Sequence, residues 1–148
     1  MNELRDARVN PLKNSLTQVR VVHAAFVTTW FLFLLVIHLT APVQQHVSLT
    51  VVQAVALVAL TDIGLALYFR SQYMGRSAEA LREQPGDTAG LARWRTGNIV
   101  SFTFAETITL CGLVLKFLGA DWRMAGPFFA VGLMLLLLWF PRLAIAER

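Results

Sequence analysis

The sequence predicts an all-α integral membrane protein, a single domain whose four spans form an up-down-up-down helix bundle. Of its 148 residues, 56% are apolar and only 15% are charged, whereas about a quarter of the residues in a soluble domain carry charge. The apolar residues cluster in runs of about 20, the length that a helix needs to cross a bilayer. A single cysteine and the lack of low-complexity segments exclude a disulfide-stabilised secreted module and a disordered tail.

Each predicted span is bounded by residues that start or end helices. The spans cover about 21–41, 49–69, 98–118 and 125–140. Pro42 stops the first run, Ser48 is the expected N-cap of the second, and Arg70 marks its end. Gly119 is the expected C-cap of the third span, and Pro141 ends the fourth.

Lysine and arginine mark one side of the predicted bundle. Eleven of the 13 lie in the N-terminal arm, between the second and third spans, or in the C-terminal tail. Because cytoplasmic loops carry an excess of these residues, both termini are expected in the cytoplasm and the chain in the inner membrane. The two outer connections are short, so the first and second spans, and the third and fourth, are expected to be antiparallel neighbours.

The 71–96 loop is the largest predicted cytoplasmic segment. Residues 77–84 are expected to form one or two helical turns on the membrane surface. Asp87 is expected to cap a helix that continues through 93–95 into the third span.

Two carboxylates lie inside the predicted spans, where charge is costly. Glu106 is near the middle of the third span, and Asp62 is about thirteen residues into the second. A charge at the bilayer centre costs at least about 2.5 kcal/mol, so such residues are functional candidates by default. Because these spans run antiparallel, the two acids are expected at comparable depth, within several Å of each other if their faces meet.

If the two carboxyl groups share one apolar interface between helices, at least one of them is expected to be protonated. A reversible proton or cation site requires this. Hydroxyl groups that could complete the site come from Thr61, Thr103, Thr107 and Thr109. The structural alternative is that each acid hydrogen-bonds a threonine or a backbone carbonyl on a neighbouring helix and holds the bundle together.

The remaining polar groups within the spans have simpler explanations. Lys116, near the outer end of the third span, is expected to extend its stem to the lipid head groups. His23 and His38 are about 22 Å apart on one helix, which excludes an intramolecular haem pair, and both are expected at the membrane surfaces. Cys111 is expected to be an inert apolar residue. The prediction therefore includes no metal and no cofactor.

Residues 105–114 read AETITLCGLV, a segment that resembles the carboxylate helix of the proteolipid c subunit of rotary ATP synthases. That helix carries an ion-binding glutamate with Gly-Leu-Val beginning six positions later. The resemblance implies that Glu106 binds and releases the ion and that Gly112 is a close-packing position. As a whole, the chain resembles small four-span bacterial membrane proteins that share this Ala-Glu element, a resemblance that implies no particular activity.

Two functions remain open. In the first, several copies of the chain form a proton or cation pathway whose exchanging site is built from Glu106, Asp62, Thr103 and Thr109. In the second, the chain is a non-catalytic accessory or scaffold subunit of a larger membrane complex. Either way, the expected partners are the lipid bilayer and other membrane subunits. No nucleic acid is expected, because the basic residues flank apolar runs, and no enzyme is expected, because motifs for nucleophilic, zinc or phosphate chemistry are lacking.

Overall fold

The structure, a computed structural model, describes residues 2–40, 46–84 and 87–141. These residues form four helices: α1 (Asn2–Thr40), α2 (Leu49–Glu83), α3 (Thr88–Phe117) and α4 (Trp122–Leu138). The predicted all-α class is therefore confirmed. The helices α1, α2 and α3 are each long and apolar enough to cross a membrane, whereas α4 is apolar but shorter, at 17 residues.

Helix α3 lies at the centre of the bundle and packs against each of the other three. Helix α1 packs on α3 and α4, while α1 and α2 are barely in contact within the described residues. The predicted contact between the third and fourth helices is confirmed, but the predicted pairing of the first and second is wrong. The reason is that α3 buries a broad band of small and polar residues that several neighbours can approach closely.

Helix α2 continues well past its apolar part. It runs through Arg70 without a break, and the Ser77 hydroxyl donates to the carbonyl of Tyr73 within it. The predicted separate surface turns at 77–84 are therefore wrong, because residues up to Glu83 simply extend α2. The helix ends at Gln84, whose backbone is extended, as expected for a residue that precedes a proline.

Three helix ends carry the capping residues that the sequence predicts. The Ser48 hydroxyl accepts from the amide of Val51 at 3.4 Å. Gly119 adopts a φ of 95°, the left-handed conformation that ends α3 and favours glycine. Asp121, which the sequence analysis did not identify as a cap, accepts from the amide of Met124 at 3.0 Å and starts α4.

Asp87 caps α3 as predicted. One carboxylate oxygen accepts from the amide of Ala89 at 2.9 Å and the other accepts from the amide of Gly90 at 3.0 Å. These bonds satisfy two of the four amides that the first turn of a helix leaves without partners.

We expect Asp87→Ala to lower the free energy of unfolding by about 1 kcal/mol, the usual loss for a removed N-cap. Thermal unfolding of the purified protein in detergent measures the change. Asp87→Asn retains an acceptor and should unfold nearly as the parent does. An alanine variant as stable as the parent would show that the cap contributes nothing.

Two side chains of α1 attach it to the backbone of α4. His23 Nε2 lies 2.9 Å from the carbonyl oxygen of Leu136, and Trp30 Nε1 donates to the carbonyl oxygen of Phe129 at 3.0 Å. The two contacts are seven residues apart on both helices, so they repeat the same packing two turns further along. The His23 ring is buried within the bundle against Phe102 of α3.

Candidate functional site

Glu106 is a buried carboxyl group on α3 without a hydrogen-bond partner. Its side chain is 8% exposed, and neither carboxyl oxygen has a donor or acceptor among the described residues. Burying a polar group without a partner costs free energy, and native proteins pair nearly all such groups. Glu106 therefore does not have the hydrogen bond by which an anchoring acid would join two helices.

Glu106 lies on the side of α3 that α1 and α4 cover. It follows one helical turn after Phe102, whose ring contacts His23 and Phe26 of α1 at centroid distances of 5.0 and 6.0 Å. Residues four apart share a helix face. One turn later in the chain, Thr109 is fully buried where α4 crosses α3. The carboxyl group thus belongs to the α1–α3–α4 seam.

Asp62 lies on the other side of α3. The rings of Phe69 and Phe104 stack at 6.0 Å and mark the face of α3 that meets α2. Helices α2 and α3 run antiparallel, so Asp62, seven residues before Phe69, comes level with Cys111, which is seven residues after Phe104 and on the same face. Glu106 is two residues from Phe104 and so is turned about 200° around the helix from this face. The two acids do not share a seam.

The depths of the two acids differ as well. The pairing of Phe69 with Phe104 places Asp62 level with Cys111, five residues beyond Glu106 on α3. Five residues correspond to about 7.5 Å along the helix axis. Asp62 is half-buried, with its Oδ2 buried and without a partner. The candidate site therefore contains Glu106 without Asp62.

The threonine hydroxyls are used within their own helices. Each donates to the carbonyl four residues earlier, at 2.9 Å for Thr61, 3.0 Å for Thr103, 3.0 Å for Thr107 and 3.2 Å for Thr109. Thr103 is exposed, whereas Thr109 is fully buried three residues after Glu106. Of the predicted hydroxyl ligands, Thr109 is the one that lies in the buried seam.

Lys116 is held at the turn between α3 and α4. Its side chain is 4% exposed, its ammonium donates to the carbonyl of Ala120 at 2.7 Å, and the Trp122 ring lies 5.0 Å away. The prediction that it extends to lipid head groups is wrong. The chain reverses at Gly119, which brings a carbonyl acceptor and an aromatic face to the cation and satisfies it locally.

Two further buried polar groups lack partners, and the sequence analysis did not select either as a candidate. They are the Oδ1 atom of Asn98 on α3 and the Nη1 atom of Arg70 on α2. A sequence signal for Asn98 does exist. Asn98 is the first residue of a buried stripe of small and polar residues on α3, which are spaced three or four apart. The stripe consists of Asn98, Ser101, Ala105, Thr109, Gly112 and Lys116.

Within the described ranges, no three or more histidine, cysteine, aspartate or glutamate side chains lie together as a metal site would require. Near Glu106 in the buried seam, the side chains of α3 contribute the two carboxyl oxygens and, one turn away, the Thr109 hydroxyl. The arrangement can bind a proton without further ligands, because protonation needs one carboxyl oxygen. A hard metal ion would need about six oxygen ligands. Comparison of the chain with known proteins found no matching family model, no matching curated relative and no matching solved structure.

Proposed function

We propose that the chain is a multi-pass protein of the inner membrane in which Glu106 binds and releases a proton. The observation that carries this proposal is the burial of Glu106 with both oxygens unpartnered in the described structure. A carboxyl group that no protein donor holds can take up and release a proton without first breaking a structural hydrogen bond. Acids inside membrane spans mark the proton relays of pumps and transporters.

The ligand is a proton rather than a metal cation because the neighbouring residues offer few oxygen atoms. Phe102, one turn before Glu106, is fully buried, and Ala105 beside it has no polar side chain. The Thr109 hydroxyl, which lies in the same buried seam, already donates to Ala105.

We further propose that several copies assemble to complete a pathway, with both termini in the cytoplasm. A bundle of four helices has few spans for a complete secondary transporter, and closed symmetric assemblies are the usual solution for small subunits. Helix α2 supports this, because it leaves a long apolar face uncovered, with Leu57 and Leu60 about two-thirds exposed. The polar side chain of Gln53 lies on the same uncovered face.

Proton flux into proteoliposomes tests the role of Glu106. Purified protein is reconstituted with a pH-sensitive dye inside the vesicles, and the internal pH is followed after an imposed pH gradient. The parent protein should conduct, and Glu106→Gln should lower the flux to that of empty vesicles, because the amide cannot exchange a proton at neutral pH.

Two matched controls remove a carboxyl group elsewhere. Asp62→Asn acts on the opposite side of α3, and Glu79→Gln acts on an exposed residue of α2. Both should conduct as the parent does. Equal flux through Glu106→Gln and the parent would refute the proposal.

A second candidate function is that of an accessory or scaffold subunit, and the uncovered faces of α1 and α2 favour it. Leu39 of α1 is 72% exposed and Leu57 of α2 is 67% exposed, so a foreign membrane subunit could cover them. Gentle extraction from native membranes followed by mass measurement separates the two functions. A ring or dimer of this chain favours the proton pathway, whereas a stoichiometric foreign subunit favours the accessory function.

A further inference from the structure

We propose that the open face of the bundle, the side of α3 between α1 and α2, is the contact surface for a second copy of this chain, and that Asp62 hydrogen-bonds that copy. The open face consists of Asp62 of α2 and of Ile99, Thr103, Thr107, Leu110 and Val114 of α3. The inference rests on the membrane location and the assembly proposed above, but it does not depend on any role of Glu106.

The contacts of α3 show where its uncovered side lies. Phe104 faces α2, Gly112 faces α4 and Phe102 faces α1. At about 100° per residue, Gly112 is turned about 80° from Phe104 and Phe102 about 160°. Leu110 and Thr103 are turned about 240° and 260° in the same sense, so they lie in the remaining gap between α1 and α2.

This gap is open to the surroundings of the bundle. Ile99, Leu110 and Val114 are 36%, 39% and 49% exposed, although α3 is the central helix. Thr103 is exposed as well, and α1 and α2 are barely in contact within the described residues. No helix of the described ranges therefore closes the bundle on this side.

Asp62 lies at the α2 edge of the open face. Asp62, Ala66 and Arg70 are four residues apart, and each step of four turns α2 by about 40° in the same sense. Arg70 contacts Trp139 of α4, and Ala66 is fully buried where α2 packs on α3. Asp62 is therefore turned away from α4 and toward the gap, and its half-buried side chain reaches the surface there.

The open face carries a hydrogen-bond donor and acceptors at membrane depth. A carboxyl group without a cation beside it is neutral there, because charge is costly, so Asp62 offers one O–H group. Its buried Oδ2 atom has no hydrogen-bond partner among the described residues. Thr103 and Thr107 use their hydroxyl hydrogens within α3, so their oxygens can only accept. Acyl chains provide neither donors nor acceptors.

A second copy fits this pattern because the donor and the acceptors lie on one face. Two identical faces around a two-fold axis complement each other, since the donor of each meets the acceptors of the other. Both copies have the same orientation in the membrane, so the axis runs along the membrane normal and each residue meets the other copy near its own depth. Thr107 is one turn from the level of Asp62, and a neutral carboxyl group also accepts, so the acceptor for Asp62 is Thr107 or Asp62 of the second copy.

Cysteine cross-linking in native membranes tests which face makes the contact. The single native cysteine is first removed by Cys111→Ala. In that background Leu110→Cys, on the open face, should form a disulfide-linked dimer on oxidation, because residues close to a two-fold axis meet their own copies. Met134→Cys is the matched control, since Met134 is 50% exposed but lies on α4, and it should remain monomeric.

Mass measurement of the full-length protein in detergent, over a range of dilutions, tests the role of Asp62. The parent should be a dimer. Asp62→Leu should raise the dissociation constant roughly tenfold, since two symmetry-related hydrogen bonds are lost. Asp62→Asn keeps a donor and an acceptor and should dimerise nearly as the parent does.

Control variants separate a binding defect from a folding defect. Thr61→Leu changes the adjacent exposed position of α2 and should dimerise as the parent does. Thermal unfolding of each variant at high dilution shows whether its monomer is folded. Glu106→Gln should also dimerise normally. A parent that dimerises without conducting protons would refute the proton pathway alone, whereas a parent that conducts as a monomer would refute this interface alone.

Three further results would overturn the proposal. An unchanged dissociation constant for Asp62→Leu would exclude the hydrogen bond. Equal cross-linking of Leu110→Cys and Met134→Cys would exclude the open face as the specific contact. A foreign subunit linked to Leu110→Cys in place of a second copy would identify that subunit as the occupant.

Discussion

Gly132→Ala is expected to destabilise the bundle by about 3 kcal/mol, near the upper end of what overpacking usually costs. A Cβ atom at position 132 would overlap the Thr109 hydroxyl and would lie 3.0 Å from the carbonyl oxygen of Ala105. Thr109 has no space to turn away because it is fully buried. The contacted atom of Ala105 belongs to the backbone, so it cannot move by a side-chain rotation. Helix α4 would therefore have to move away from α3.

Thermal unfolding in detergent measures this loss, with Gly126→Ala as the matched control in α4. A Cβ at position 126 would meet no atom closer than 4.0 Å, from Trp122, so alanine there should be neutral or stabilise slightly through its higher helix propensity. The double variant Gly132→Ala with Thr109→Ala should recover part of the loss, since one of the two overlapping groups is then removed. Identical melting of the two single glycine variants would contradict the close crossing of α3 and α4.

Glu106→Leu is expected to raise the free energy of unfolding by about 1–3 kcal/mol while it abolishes proton flux. The carboxyl group is buried without a partner, so an apolar side chain of similar size removes a desolvation penalty of that magnitude. Glu106→Gln keeps a polar group in the same place and should gain much less. Chemical or thermal unfolding in detergent measures both changes.

The sign of this change discriminates between the two explanations of Glu106. If the residue were an anchor that joins helices by hydrogen bonds, leucine would lower the stability and weaken assembly. A gain in stability together with a loss of flux would show that Glu106 is retained for its chemistry although it destabilises the fold. Residues in active sites often have this effect.

Three helix caps, which depend on neighbours in sequence, were predicted correctly. Ser48, Asp87 and Gly119 were identified as caps from their chemistry and from their place beside apolar runs, and each takes that role. A cap acts on backbone groups two or three residues away, so the sequence around it contains the information needed. The apolar runs predicted four helices for the same reason, since a continuous stretch of side chains defines each one.

Features that depend on helix faces could not be predicted in this way. Helical periodicity placed Glu106 on one face of α3, but it did not say which helix covers that face. Because α1 and α4, rather than α2, cover this face, Glu106 is separated from Asp62. His23 illustrates the same limit, because its hydrogen-bond partner is the Leu136 carbonyl on a different helix.

The sequence by itself determined the helical class and three of the helix caps, because hydrophobic run length and capping chemistry are local properties. Only the tertiary structure decided that α3 is central and that Glu106 is buried without a hydrogen-bond partner among the described residues. The physical reason is that side-chain partners come from other helices. Their identity depends on how closely small residues such as Gly132 allow those helices to approach.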